Sequence, residues 1–210
     1  MIDAVVSDFG GVLTKPLLEA FSRAHDETDV PLAAYGQALW TAAEKDGVNP
    51  LFEMERGRMS ERDFNARLER ELEEILGRAV SLDGITHRVN EQLEPNEAMF
   101  AYFSHLSRRG VRLALCTNNV REWEPLWRAK LPIDDIFETV VDSAFVGTRK
   151  PAPEIYGIVL ERLGLPAERC AFVDDLAINV SAAVELGFRG IVFKDTAQAI
   201  AELDALVLGP

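Results

Sequence analysis

The chain has 210 residues, 48% of them apolar, which is enough for one sizeable core or a core with an insertion and too apolar for a disordered segment. A net charge of -13 argues against nucleic acid and anionic membrane surfaces as partners, since both need clustered Lys and Arg, but leaves room for a small anion at a locally positive site. No apolar stretch nears the ~20 residues of a membrane helix. Asp3 stands where a basic leader would begin, and Cys116 and Cys170 lack metal-ligand spacing, so both read as buried small hydrophobes of a cytoplasmic protein.

Ala4-Val5-Val6-Ser7 reads as a buried strand that delivers Asp8 into a double-glycine turn, Gly10-Gly11, where backbone amides can approach an anion closely. From 16 to about 93 no strand candidate stands out. Leu17, Leu18 and Phe21 have helical spacing, as do Phe64, Leu68, Leu72, Ile75 and Leu76, with Ser60 and Asp63 as a variant capping box before that run. This stretch reads as an all-helical insertion. A helix is expected over Met99–Arg109, a strand over Val111–Cys116, and a helix from Val120 to about Lys130 that Pro125 either interrupts or restarts. Val140-Val141 is a short strand, and Pro153–Leu163 a helix with Pro in its first turn and Gly164 beyond its end. Cys170–Val173 is a strand, Ala177–Leu186 a helix, Ile191–Phe193 a strand, and Thr196 caps a last helix. Strands alternating with helices imply an α/β fold with a doubly wound parallel sheet.

Four short segments fall where candidate strands end, the rim on which such sheets bind ligands. They are Asp8-Phe9-Gly10-Gly11-Val12, Thr117-Asn118-Asn119, Lys150-Pro151 and Asp174-Asp175. Each alone is a common pattern. Adjacent aspartates after Phe172-Val173 are less so, because two buried like charges are costly unless a cation or protons offset them. Four such signals in this order at successive strand ends argue for one site.

On these motifs the chain resembles the haloacid dehalogenase superfamily of hydrolases nearly end to end, with an inserted helical cap of the first type. It is most similar to the phosphatase domain at the amino end of soluble epoxide hydrolases and to sugar-phosphate phosphatases. Arg149–Tyr156, Phe172–Asn179 and, in the insertion, Glu55–Phe64 carry much of the likeness. The resemblance implies a Rossmann-like core at 1–14 and 95–210 and a cap at 15–94. It implies Asp8 as a nucleophile that forms an aspartyl-phosphate, Thr117 and Asn118 as phosphoryl binders, and Lys150 as the neutralising cation that also binds phosphate. Mg2+ would be held by Asp8, the Gly10 carbonyl, Asp174 and Asp175. The implied partner is a small phosphorylated metabolite; no oligomeric state is implied.

The family usually carries a second Asp where Gly10 stands, an acid that protonates the leaving alkoxide and is worth roughly 10²–10⁴ in rate. Its absence leaves three accounts. The leaving group needs little protonation, another group such as Thr14 or a substrate hydroxyl moves the proton, or the reaction is metal-independent displacement of halide from a 2-haloacid by the same Asp8. Tyr156, six residues after Lys150, fits the dehalogenase pattern. A catalytically weak regulatory domain is a further alternative. Trp123 and Trp127, four apart, read as core or interface; Trp40 and Phe52 as cavity candidates; Arg56 and Arg58 equally as surface residues or anion contacts; and His25, His87 and His105 receive no role.

Overall fold

The computed structural model describes residues 2–26 and 28–207; residues 1, 27 and 208–210 of the expected core and cap lie outside the described residues. Five strands, β1 (Ala4–Ser7), β2 (Arg112–Thr117), β3 (Thr139–Asp142), β4 (Cys170–Asp174) and β5 (Arg189–Val192), form one sheet in the order β3-β2-β1-β4-β5. Every pairing is parallel. The two central strands β1 and β4 are buried along their whole length, which is why their sequences are runs of Ala, Val and Phe rather than alternating patterns. Ser7 lies opposite Leu115 on one side and Val173 on the other. Asp8, Thr117 and Asp174 therefore emerge on one edge of the sheet.

Strand limits differ from the expected ones because pairing, not apolarity, sets them. Arg189 is exposed yet opens β5 opposite Ala171, and Thr139 opens β3 opposite Ala114. Helix α6 (Glu97–Arg108) starts two residues before Met99, because the Asn96 side chain caps it by accepting the Met99 N–H at 3.2 Å. The segment after β2 is not one helix: a 3₁₀ turn over Arg121–Trp123 precedes α7 (Glu124–Arg128), with Pro125 in its first turn, so proline restarts the helix. A four-residue helix, α8 (Ser143–Val146), follows β3 without having been expected; Asp142 caps it. Helices α9 (Pro153–Leu163), α10 (Ala177–Glu185) and α11 (Thr196–Val207) complete the alternation.

The sheet separates two apolar clusters. Val5, Leu113, Leu115 and Val173 face one, with Phe103 of α6 and Leu203 of α11; Val6, Ala114 and Phe172 face the other, with Tyr156 of α9 and Val180 of α10. Between β1 and α6 the chain is helical throughout: α1 (Leu17–Asp26), α2 (Leu32–Asp46), α3 (Pro50–Glu55), α4 (Glu61–Leu76) and α5 (Ile85–Gln92). There α2 packs on α4, and α1 on α5. Ser60 accepts the Asp63 N–H at 3.1 Å and donates to its carboxylate at 2.7 Å, which fixes the start of α4. The two connections to this helical segment meet at a bridge between Thr14 and Pro95. Among the described residues no helix is long and apolar enough to cross a membrane.

Candidate active site

The turn after β1 is built by glycine. Gly11 has φ +80°, and a Cβ there would lie 2.4 Å from Asp175 Oδ2, so only glycine lets that carboxylate reach the turn. The Thr14 hydroxyl accepts the Gly11 N–H at 3.1 Å and donates to the Lys15 carbonyl at 2.9 Å. It is committed to the turn, which counts against Thr14 as a carrier of protons. The Asp8 N–H donates to the Val173 carbonyl at 2.8 Å and ties the nucleophile candidate to β4.

Lys150 is buried, and its ammonium lies 2.8 Å from Asp8 Oδ1 and 2.6 Å from Asp174 Oδ2. Asn118 places it: its amide accepts the Lys150 N–H at 2.8 Å and donates to the Lys150 carbonyl at 3.0 Å. The Asn118 side chain is thus spent on the lysine backbone, while Thr117, at the end of β2, lines the cavity beside Asp8. Asp174 is fully buried and saturated with donors, taking the Leu176 N–H and the Asn179 amide at 2.9 Å each besides Lys150. Asn179 carries a structural role that the sequence reading missed; its place five residues after Asp174, on the first turns of α10, was the available signal.

One carboxylate oxygen each from Asp8, Asp174 and Asp175 lie within 4.8 Å of one another. Burial pushes the Asp8 carboxyl up to about 7, against the opposing pull of Lys150 and with help from Asp174. Burial, then Asp174, likewise raises Asp175. For Lys150 burial works against the charge, but Asp8 and Asp174 outweigh it and hold the ammonium well above its ordinary range. Three carboxylates this close together, two of them on the Lys150 ammonium, fit a hard divalent cation, and the cradle at Gly11 leaves Asp175 room to join the other two.

Beside this cluster lies a cavity of about 400 Å³. Gly10 lines it, and a Cβ on Gly10 would stand 2.7 Å from Leu17 Cδ1. Trp123 and Trp127 also line it, the latter packed on Phe9 at 4.9 Å, so they are not core residues alone. Trp40 is exposed and away from the cavity. Phe52 instead supports Arg149, whose guanidinium lies 3.9 Å over its ring and pairs with Glu55. Burial raises the Glu55 carboxyl despite that arginine. Arg56 and Arg58 pair with Glu53 and do not line the cavity. Tyr156 is buried against Phe172 and donates to the Asn179 carbonyl at 2.8 Å, outside the cavity. His25 is buried on α1 with Nδ1 3.0 Å from the Val30 carbonyl.

The family described as haloacid dehalogenase-like hydrolase matches residues 2–187. A phosphorylated carbohydrates phosphatase of Thermotoga maritima is 27% identical over 99% of this chain and 94% of its own length. Bifunctional epoxide hydrolase 2 of Rattus norvegicus is 29% identical over 52% of this chain, which spans only 20% of that protein; the corresponding share is 10% for the Mus musculus acyl-CoA dehydrogenase family member 10. Among solved structures, a family enzyme of Bacteroides thetaiotaomicron in complex with magnesium and inorganic phosphate aligns with a TM-score of 0.65 at 22% identity, over 92% of this chain and 95% of that one. The L-2-haloacid dehalogenase of Xanthobacter autotrophicus aligns with a TM-score of 0.65 at 21% identity, over 100% and 84%. Both structures share the fold.

Proposed function

This chain belongs to the haloacid dehalogenase-like hydrolase family, and from that premise we propose that it is a Mg2+-dependent phosphatase of a small phosphorylated metabolite, acting through an aspartyl-phosphate on Asp8. The observation that carries the reading is the carboxylate cluster. Asp8, Asp174 and Asp175 crowd together with one ammonium, on Asp8 and Asp174, to offset them, and that crowding is costly unless a divalent cation shares the site. The cation would be held by Asp8, Asp175 and the Gly10 carbonyl, with Asp174 binding or orienting it, and would supply charge neutralisation for the phosphoryl group.

The remaining work falls to the chain itself. An Asp8 oxygen attacks phosphorus, and the bond to the leaving oxygen breaks. Lys150 holds Asp8 in line and balances the charge that builds on the phosphoryl oxygens. Thr117 orients those oxygens, and Asn118 keeps Lys150 in register. Water then attacks the phosphorus, the bond to Asp8 breaks, and phosphate departs. In this reading α1–α5 act as a cap that excludes water and selects the substrate. Two buried free cysteines and the acidic charge are in keeping with a cytoplasmic enzyme with neither nucleic acid nor membrane as partner.

One observation favours a second reading. Position 10 carries no acid and a Cβ there would meet the Leu17 methyl, while halide leaves carbon without a proton, so dehalogenation by Asp8 suits the site. Against it, Tyr156 is committed to the core and absent from the cavity wall. The deciding experiment measures phosphate from a metabolite panel and halide from short 2-haloacids, each with Mg2+ and with chelator. Chelator-sensitive phosphate release is expected. Chelator-insensitive halide release would establish the second reading, and silence in every assay with tight ligand binding would favour a regulatory domain.

A further inference from the structure

Taking the phosphatase reading as given, the geometry points to aryl phosphates as the substrate class: monoesters in which phosphate is carried by an apolar phenol. Two independent features lead there.

The first is the wall of the cavity. Opposite the strand ends it is formed by Leu17, Phe21, Val89, Leu93, Trp123 and Trp127, which offer surface to an apolar ring. Several polar side chains on the same wall are already engaged, whereas the indole N–H groups of Trp123 and Trp127 are buried without a partner and could meet a single polar substituent on the ring. The Thr86 hydroxyl donates to Glu61, Glu55 and Arg149 hold each other, and the Asn118 amide is taken by the Lys150 backbone.

The second is the leaving-group side of Asp8. A Cβ at Gly10 would stand 2.7 Å from Leu17 Cδ1, so that flank is aliphatic. Thr14 is tied into its turn. Of the ionisable side chains lining the cavity, Asp8, Lys150 and Asp175 belong to the phosphoryl machinery, and Glu55 is held in its ion pair with Arg149. With no unpaired acid on that lining, the leaving oxygen in this proposal departs unprotonated. A phenolate, whose conjugate acid has a pKa of about 10, does so far more readily than an alkoxide, whose conjugate acid lies nearer the ~16 of water. An Asp8 oxygen bonds to phosphorus while the aryl oxygen takes the electron pair and later a proton from solvent. Water then cleaves the aspartyl-phosphate, giving one phenol and one inorganic phosphate per water consumed.

The test uses the whole chain with Mg2+ and four probes: 2-naphthyl phosphate, phenyl phosphate, 2-naphthylmethyl phosphate and glucose 6-phosphate. Expected are a kcat/KM for 2-naphthyl phosphate about 100-fold above that for glucose 6-phosphate, and a kcat at least tenfold above that for 2-naphthylmethyl phosphate at similar KM. Phe21→Gln should narrow the naphthyl-to-glucose ratio about tenfold; should it fail to fold, Leu18→Gln, a more exposed lining residue on the same helix, reads the same ratio. Efficient glucose 6-phosphate hydrolysis with a poor naphthyl rate would remove this inference and leave the phosphatase reading standing. Equal rates for the naphthyl and naphthylmethyl esters would overturn the unprotonated departure and hand the proton to Glu55. Phosphate from none of the four would remove both readings.

Discussion

A Cβ at position 10 would meet a terminal methyl of the half-exposed Leu17, which has to turn aside before a side chain is seated there. Gly10→Asp should therefore raise the rate on alkyl phosphates, and Gly10→Asp with Leu17→Ala should raise it further, toward the roughly 10²–10⁴ of general acid help, in steady-state phosphate release. Asp8→Asn should lower turnover by about 10³-fold or more while Tm stays within a few degrees, since Lys150 keeps Asp174 as its partner. Asp142 offers a pH test. Its Oδ1 caps α8, its Oδ2 is buried without a hydrogen bond, and burial raises its carboxyl to about 6. With the folded pKa above the unfolded 3.8, the native state holds the proton longer, so this group lowers stability as pH rises from about 4 to 6. Asp142→Asn keeps the cap and should stabilise the protein by about 1–3 kcal/mol at pH 8 and not at all at pH 3.5, read by denaturant unfolding. These features show where sequence reading reached and where it stopped. Asp8, Lys150, Asp174 and Asp175 were legible because strand ends and adjacent carboxylates are local patterns. Leu17 over Gly10, and Glu55 beside Arg149, depend on how helices of the insertion pack over the sheet, and no local pattern encodes that.

At the scale of elements, the helical segment between β1 and α6 touches α8 beside the sheet through a close backbone contact. A Cβ on Gly57 would lie 2.2 Å from the Ala144 carbonyl of α8, and Gly57 has φ +66°. Gly57→Ala should cost about 1–3 kcal/mol, or roughly 2–10 °C in Tm. Gly77→Ala, at the same φ of +66° with open space around it, should cost distinctly less, and the difference measures the docking contact. That contact explains why α8 escaped the sequence reading. Ser143–Val146 is too short to show periodicity, and the Asp142 cap and the packing of α3 hold it in place. Strands β1 and β4 were legible as apolar runs, while the opening residues of β3 and β5, Thr139 and Arg189, join the sheet through neighbours rather than their own chemistry.

For the molecule as a whole, the crowded carboxylates make stability depend on the cation. Mg2+ at a hundred times its Kd should add about 2.7 kcal/mol of stability. The sign of the pH dependence follows from Asp8. Its folded pKa of about 7 lies above the ordinary 3.8, so between these values the cation-free fold grows less stable as pH rises. The Mg2+-induced rise in Tm should accordingly be larger at pH 8 than at pH 5, as differential scanning fluorimetry would record. The strand order has one more consequence, and it concerns synthesis. β1 occupies the middle of the sheet, yet its flanking strands begin at Arg112 and Cys170. On the ribosome, Asp8 emerges early and waits through most of elongation without Lys150, Asp174 or Asp175. If the proposed chemistry holds, a half-made chain lacks the groups it needs, and turnover would report completed assembly rather than partial folding.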